Sequence, residues 1–229
     1  MALNKSKTSP LVKAGIIILI VAFVSAFMYS GIAGLLGLFS SSGSTPAQQQ
    51  AQSDPVQAIN QRYSAGVSAL KSTADSQPTS FTAQVNVANA YFDWAKELST
   101  PAQGQSQLTT AAMVAATQQW LAAKTAYETA IKLKPNDPPT MVDYSVATFY
   151  SGDASSAVVT ATKVTKIAPT FAPAWVNLGI FYDRLGDSAS ALAAYQQYLK
   201  IAPTGDSASY AKQRISSLLK ASPSSVTTP

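Results

Sequence analysis

No cysteine and no histidine occurs in the 229 residues of this chain. That excludes thiol nucleophiles, disulfides, imidazole general bases, Cys or His metal sites and a lipid anchor on an N-terminal cysteine. Charge is also sparse, at 12% Asp, Glu, Lys and Arg, whereas 47% of residues are hydrophobic. The formal net charge is +5, but Lys5, Lys7 and Lys13 supply three of those charges, and residues 14–229 hold 13 basic against 11 acidic side chains. Without a clustered basic face there is no case for a nucleic-acid partner. Serine and lysine are plentiful, yet no motif brings a Ser/Lys pair together. The expectation is a protein that is not an enzyme, with no cofactor, no metal and no catalytic residues.

Charge is missing altogether from residues 14–39, AGIIILIVAFVSAFMYSGIAGLLGLF. This run of 26 exceeds the ~20 residues that span hydrocarbon as a helix and the ~7–15 of a signal-peptide core. Cleavage after Val24-Ser25-Ala26 would leave a greasy mature end, so the run is read as an uncleaved single-pass transmembrane helix. Lysines flank it only on the N-terminal side, which predicts a cytoplasmic tail over 1–13 and the rest of the chain outside the cytoplasm. Gly31, Gly34 and Gly37, with Ser30/Gly34 and Ala33/Gly37 as small-xxx-small pairs, fit a helix–helix contact in the membrane or the ordinary glycine content of membrane helices. Residues 40–53 read as a flexible polar linker and 222–229 as a disordered Ser/Thr/Pro tail. Between them, 54–221 form the folded domain.

That domain is organised around Ala172 to Pro203. Trp175, Leu178, Gly179 and Tyr182 fall on one face of a 3.6-period helix. Gly179 admits a close neighbour, Ala191 does the same on a second helix, and Tyr195 supplies bulk there. Gly186 suits a left-handed C′ position and Asp187 an N-cap. This W-x2-L-G-x2-Y…A-x3-aromatic…Pro order resembles a tetratricopeptide repeat, a helix–turn–helix unit of 34 residues. Such a unit cannot bury its face alone. One period upstream, Gly152-Asp153, Ala157 and Ile167-Ala168-Pro169 repeat the punctuation, although Met141, Tyr144, Ser145 and Thr148 replace the first-helix signature. An earlier copy carries Val85, Ala88, Asn89 and Phe92, then Ala123, Tyr127 and Ala130 after 22 extra residues. The repeats are thus read over about 82–137, 138–171 and 172–205. The extra residues are expected to lengthen both helices of the first hairpin by about three turns, with a turn at Pro101–Gly104 and an apolar stripe starting at Leu108. A helix over about 55–73, capped by Asp54 with Val56, Ile59, Tyr63, Val67 and Leu70 on one face, and a solvating helix from about 205 to 219 would close the two ends. The fold class expected is an all-α helical solenoid.

The resemblance implies that the first helices of successive repeats line a concave groove. Carried over by position, the groove comprises Asn86, Ala90, Asp93 and Trp94, then Val142, Val146, Phe149 and Tyr150, then Val176, Ile180, Asp183 and Arg184. Some members of the family clamp an acidic peptide terminus there with Lys, Arg and Asn. Here the matching positions are mostly apolar, Asn177 alone is clamp-like, and the clamp is not expected. The groove either takes a hydrophobic or neutral peptide or helix, or packs against a further helix of the same chain. Trp94, Phe149 and Tyr150 are the expected anchors for a partner touching both groove and hairpin. The function expected is that of a membrane-anchored adaptor binding a membrane or envelope protein outside the cytoplasm; the alternative is a self-associating structural subunit of an envelope or surface assembly.

Overall fold

The computed structural model describes residues 54–101 and 105–221. The expected cytoplasmic tail, transmembrane helix, linker and C-terminal tail lie outside these residues. Among the described residues no helix is long and apolar enough to cross a membrane.

Eight helices, and no strand, make up the described residues: α1 (Pro55–Ser76), α2 (Phe81–Leu98), α3 (Thr110–Leu133), α4 (Pro138–Tyr150), α5 (Ala154–Ile167), α6 (Ala172–Arg184), α7 (Ser188–Ile201) and α8 (Ala208–Ala221). Each packs on the next, and α4 also touches both α2 and α6. This is an all-α solenoid of tetratricopeptide type. Its sequence punctuation acts as expected. Gly186 has φ +80°, where a side chain would be strained. The Asp187 amide donates to the Tyr182 carbonyl at 2.9 Å and the Gly186 amide to that of Asp183 at 3.2 Å. These two bonds form a Schellman motif. The Asp187 carboxylate then accepts from the Ser190 amide at 3.1 Å and starts α7. One repeat earlier Gly152, at φ +104°, and Asp153, accepting from the Ser156 amide, end α4 and start α5 in the same way.

Three alanines at one repeat position, Ala123, Ala157 and Ala191, are each fully buried. The residues around them trade volume in pairs. In the last repeat Gly179 lies under Tyr195, whose ring carbons come to 2.7 Å from the place a Cβ would occupy. In the middle repeat Ser145 stands at the glycine position and Ala161 at the tyrosine position, and both are fully buried. In the first, Asn89 faces Tyr127, whose hydroxyl donates to its side-chain oxygen at 2.7 Å. Departures from the repeat signature are therefore compensated across the helix pair, which keeps the core filled.

The first hairpin differs from expectation. α2 has 18 residues and α3 has 24, against 13 and 14 in the following pair. The lengthening is therefore unequal, and residues 99–101 and 105–109 are not helical; the turn expected at Pro101–Gly104 lies largely outside the described residues. Thr109 caps α3 by accepting from the Ala112 amide at 3.1 Å, so Leu108 does not begin the buried stripe. Leu108 sits instead with Pro55, Val56, Ile59, Leu98 and Ala112, at the start of α1. From Ala112 onward the expected stripe holds, with Ala116, Trp120, Ala123, Tyr127 and Ala130 buried. α1 runs three residues beyond the expected Thr73, to Ser76, before Gln77-Pro78 stops it.

Candidate functional site

The two ends of the expected groove are occupied by helices of the same chain. At one end the Trp94 indole N–H donates to Asn60 Oδ1 at 3.0 Å, and its ring stacks on Tyr63 at 6.0 Å. Both partners belong to α1. At the other end Arg214 of α8 forks onto Asp183, with Nε 2.7 Å and Nη2 2.8 Å from its two oxygens. Tyr195 Oη donates to the same carboxylate at 3.3 Å. The guanidinium holds the Asp183 carboxyl below the usual carboxylate range. Val176 is buried in the cluster that includes Ala208, Ala211 and Leu218 of α8, with Ile180 against it. Val142 is buried with Met141, Val164 and Ala174. Phe149 stacks on the fully buried Phe181 at 4.6 Å. On α2, Asn86 and Asp93 are exposed and Ala90 is half-buried.

Between these ends lies an open cleft of about 690 Å3 that includes Val146, Tyr150 and Arg184 of the expected set. Its other walls are residues outside that set. Phe92, Lys96, Ser99 and Thr100 come from α2 and the connection after it, Leu108 from the far side of that connection, and Met113, Ala116, Thr117 and Trp120 from α3. Asp143 of α4 and Asn177 of α6 complete it. The lengthened hairpin therefore supplies more than half of the wall.

The floor is aromatic. Trp120 stacks against Tyr150 at 5.2 Å and lies perpendicular to Phe92 at 4.9 Å. Its indole N–H donates to Ser99 Oγ at 3.0 Å, and that hydroxyl donates to the Ala95 carbonyl at 2.7 Å. The ring is thus oriented by the end of α2. Tyr150 remains 37% exposed and also packs against Phe149, with ring centroids 5.4 Å apart. Asp143 is half-buried beside this floor. Burial, and then the charge of Asp93, push its carboxyl up to about 6. Among the described residues no group of three Asp or Glu side chains is placed to hold a metal ion. The arrangement is chemically suited to burying an apolar group between polar rims.

In the sequence Phe92 stands at a repeat-signature position, and Trp120 lies in the helical stripe near the base of the hairpin, where it meets the groove. No signal in the sequence indicated that the unequal hairpin would leave an open cleft beside that stripe.

Residues 172–204 match the model of the tetratricopeptide repeat family. Two crystal structures of MamA are similar in fold: each is 15% identical, covers 73% of this chain and is itself covered over 84%, with TM-scores of 0.53 and 0.50. The TPR domain of Arabidopsis OM64 is 23% identical over 44% of this chain and 83% of that domain, with a TM-score of 0.41. No curated protein matches the sequence. The repeat match and the MamA likeness support a tetratricopeptide-repeat fold for this chain.

Proposed function

We propose that this chain is a protein-interaction scaffold held at a membrane by residues 14–39, with its N-terminus cytoplasmic and its helical domain outside. The partner is a membrane or envelope protein, and the role is binding rather than catalysis. The observation that carries the interaction role is the open, aromatic-floored cleft between the lengthened hairpin and α4. A cleft of this size buries a ligand group on rigid walls, and interfaces draw most of their energy from such aromatic pockets. The absence of Cys and His throughout the chain supports binding over catalysis. The 26-residue uncharged run and its one-sided lysines support the anchor and its orientation.

Thr117 is exposed on the cleft wall. A Thr117→Trp substitution fills the cleft while leaving the core untouched. Full-length wild type and variant are recovered from membranes under mild solubilisation, and the captured proteins are compared. The expected result is loss of at least one wild-type partner from the variant. Capture of every partner at wild-type yield refutes the cleft as the interaction site. Protease added outside intact cells is expected to digest the helical domain; protection until lysis refutes the orientation.

A second reading, self-association, rests on α3. Thr110 to Ala123 carries no charge, and Met113, Val114 and Leu121 on it are 48%, 54% and 55% exposed. Sedimentation of the solubilised chain separates the readings, since a scaffold for other proteins stays monomeric and a structural subunit does not.

A further inference from the structure

We propose that the first half of α3 docks on the surface of the bilayer that holds the chain, with Met113, Val114 and Leu121 resting in the lipid headgroup layer. This rests on the membrane anchor proposed above and adds a second contact between the chain and that membrane.

The surface itself is the first argument. Val114 and Leu121 are seven residues apart on one face of α3, with Met113 beside them, and all three are about half-exposed. Met113 and Thr117 border the cleft on one side. Gln118 and Leu121 border a second hollow on the other, against α1 and α2. The face is therefore a ridge between two hollows rather than a groove. No charge occurs on it from Thr110 to Ala123, whereas Lys124, Glu128 and Lys132 follow in the rest of the helix. With Ala123 matched to Ala157, Trp120 aligns with Ala154 at the start of α5. Met113 and Val114 thus lie on the part of α3 that the later repeats lack.

Position is the second argument, and it decides what covers the ridge. Only residues 40–53 separate the uncharged run from Asp54, and a segment of that length reaches no more than about 50 Å when fully extended. The chain enters the helical domain at Asp54, and Asp54, Pro55 and Val56 share a small pocket with Leu108, Thr109 and Ala112. Ala126, farther along α3, packs with Leu70 and Ala74. α1 and α3 therefore run in the same direction, and both start at the tethered end. The uncharged half of α3 is the half nearest the tether. The charges at that end, Asp54, Lys96 and the Arg62–Glu97 pair, belong to the start of α1 and to α1 and α2 rather than to the ridge. Tethering raises the local concentration of this end at the lipid, so a weak apolar contact suffices. Met113, Val114 and Leu121, with Thr110, Thr117 and Gln118 among them, match a layer that is apolar below and wet above. With no basic side chain on the ridge, anionic lipid adds no attraction there. A second copy is a poorer occupant, because a stable interface buries roughly 800 Å2 per partner and three half-exposed side chains fall well short of that.

The test exploits the absence of cysteine, since one introduced thiol carries one fluorophore. Gln118→Cys places it at an exposed position beside the ridge, and Val159→Cys places it at a 69% exposed position on α5. Each labelled full-length chain is reconstituted into phosphatidylcholine vesicles with or without lipid bearing a nitroxide on its headgroup. The expected result is that the label at 118 is quenched by the nitroxide lipid and shielded from aqueous iodide, while the label at 159 shows the reverse. The pattern should persist at high salt and without anionic phosphatidylglycerol. Val114→Asp/Leu121→Asp changes two exposed side chains and is checked for folding by circular dichroism. In the Gln118→Cys background it is expected to lower the ratio of docked to free domain by about ten-fold, because two apolar contacts are lost. Equal lipid quenching of the two labels, undiminished quenching in the double variant, or a requirement for anionic lipid overturns the inference. So does shielding from iodide without lipid quenching, which would mark a protein cover such as a second copy. If any of these happens while the chain still floats with the vesicles, the docking is wrong and the anchor stands. If the chain does not float with them, both fall.

Discussion

Gly179→Ala tests the packing on which the last repeat depends. In an exposed helix this change stabilises, because Ala is favoured over Gly by ~1 kcal/mol. Here the added Cβ would lie 2.7 Å from Cδ1 and Cε1 of Tyr195 and 3.1 Å from its Cγ. The ring has little freedom to retreat. Tyr195 is fully buried, and its hydroxyl is fixed to Asp183, which Arg214 grips from α8. Overpacking of this kind costs about 1–3 kcal/mol, so a net loss of about 1 kcal/mol is expected after the propensity gain. The decisive measurement is a double-mutant cycle in urea, followed by helical circular dichroism. Tyr195→Ala alone opens a cavity and costs about 3–5 kcal/mol. Adding Gly179→Ala to that background should then stabilise by about 1 kcal/mol, because the clash is gone and only the propensity term remains. The middle repeat already contains the relaxed combination, Ser145 with Ala161. If Gly179→Ala raises stability in the wild-type background, the close approach is not what selects glycine there, and the reasoning fails.

Three further outcomes follow from the same geometry. Gly186→Ala forces a side chain into φ +80° and should cost about 1 kcal/mol in the same urea titration, with no gain from propensity because the residue lies outside the helix. Arg214→Ala should lower stability by about 1–2 kcal/mol near neutral pH, discounted for an arginine that is 35% exposed. Asp183 is held below its ordinary value, so this contribution is present above the unfolded carboxylate range and lost as pH falls through the folded value; wild type and Arg214→Ala should converge in acid. Asp143 has the opposite sign. Its carboxyl rises from 3.8 to about 6, so the folded state is penalised as pH climbs through that window and most above it. Asp143→Asn should therefore stabilise at pH 7.5, by at most about 3 kcal/mol at ~1.4 kcal/mol per pKa unit, and have little effect at pH 3.5; equal effects at both pH values would show that charge is not the cause.

The helices were legible where short-range rules decide them. Gly152-Asp153 and Gly186-Asp187 each end one helix and cap the next, and their chemistry is complete within a few residues of chain. The alanines at 123, 157 and 191 were equally plain, because one contact recurs at each. The long first hairpin was harder. An apolar stripe predicts a buried face but not where the helix bearing it starts. Leu108 fits the stripe by spacing, yet a threonine cap at Thr109 and the apolar surface near Val56 and Ile59 give it a different place. That competition is between local capping and a contact about fifty residues away, and no periodicity contains it.

The candidate site was less legible for a related reason. Position-by-position transfer treats every first-helix residue as facing an empty groove. Trp94 faces α1, and Asp183 faces α8, because the terminal helices of a solenoid must be covered by something and the chain covers them itself. Aromatic and charged residues near the ends are consumed by that covering. In the middle the balance shifts. Trp120 belongs to a second helix, which a regular array turns away from the groove. Here α3 is ten residues longer than α5, and Ser99 of the connection orients the Trp120 ring toward Tyr150. The cleft exists because the first repeat breaks the 34-residue register and the two after it keep it. Its wall comes from both parts: the irregular hairpin supplies Lys96 and Trp120, and the regular array supplies Tyr150 and Arg184. Shortening the hairpin to standard length would therefore remove Lys96 and the wall residues Met113, Ala116 and Thr117 but keep Trp120, which aligns with Ala154 at the start of α5, while leaving α4 to α8 packed as before.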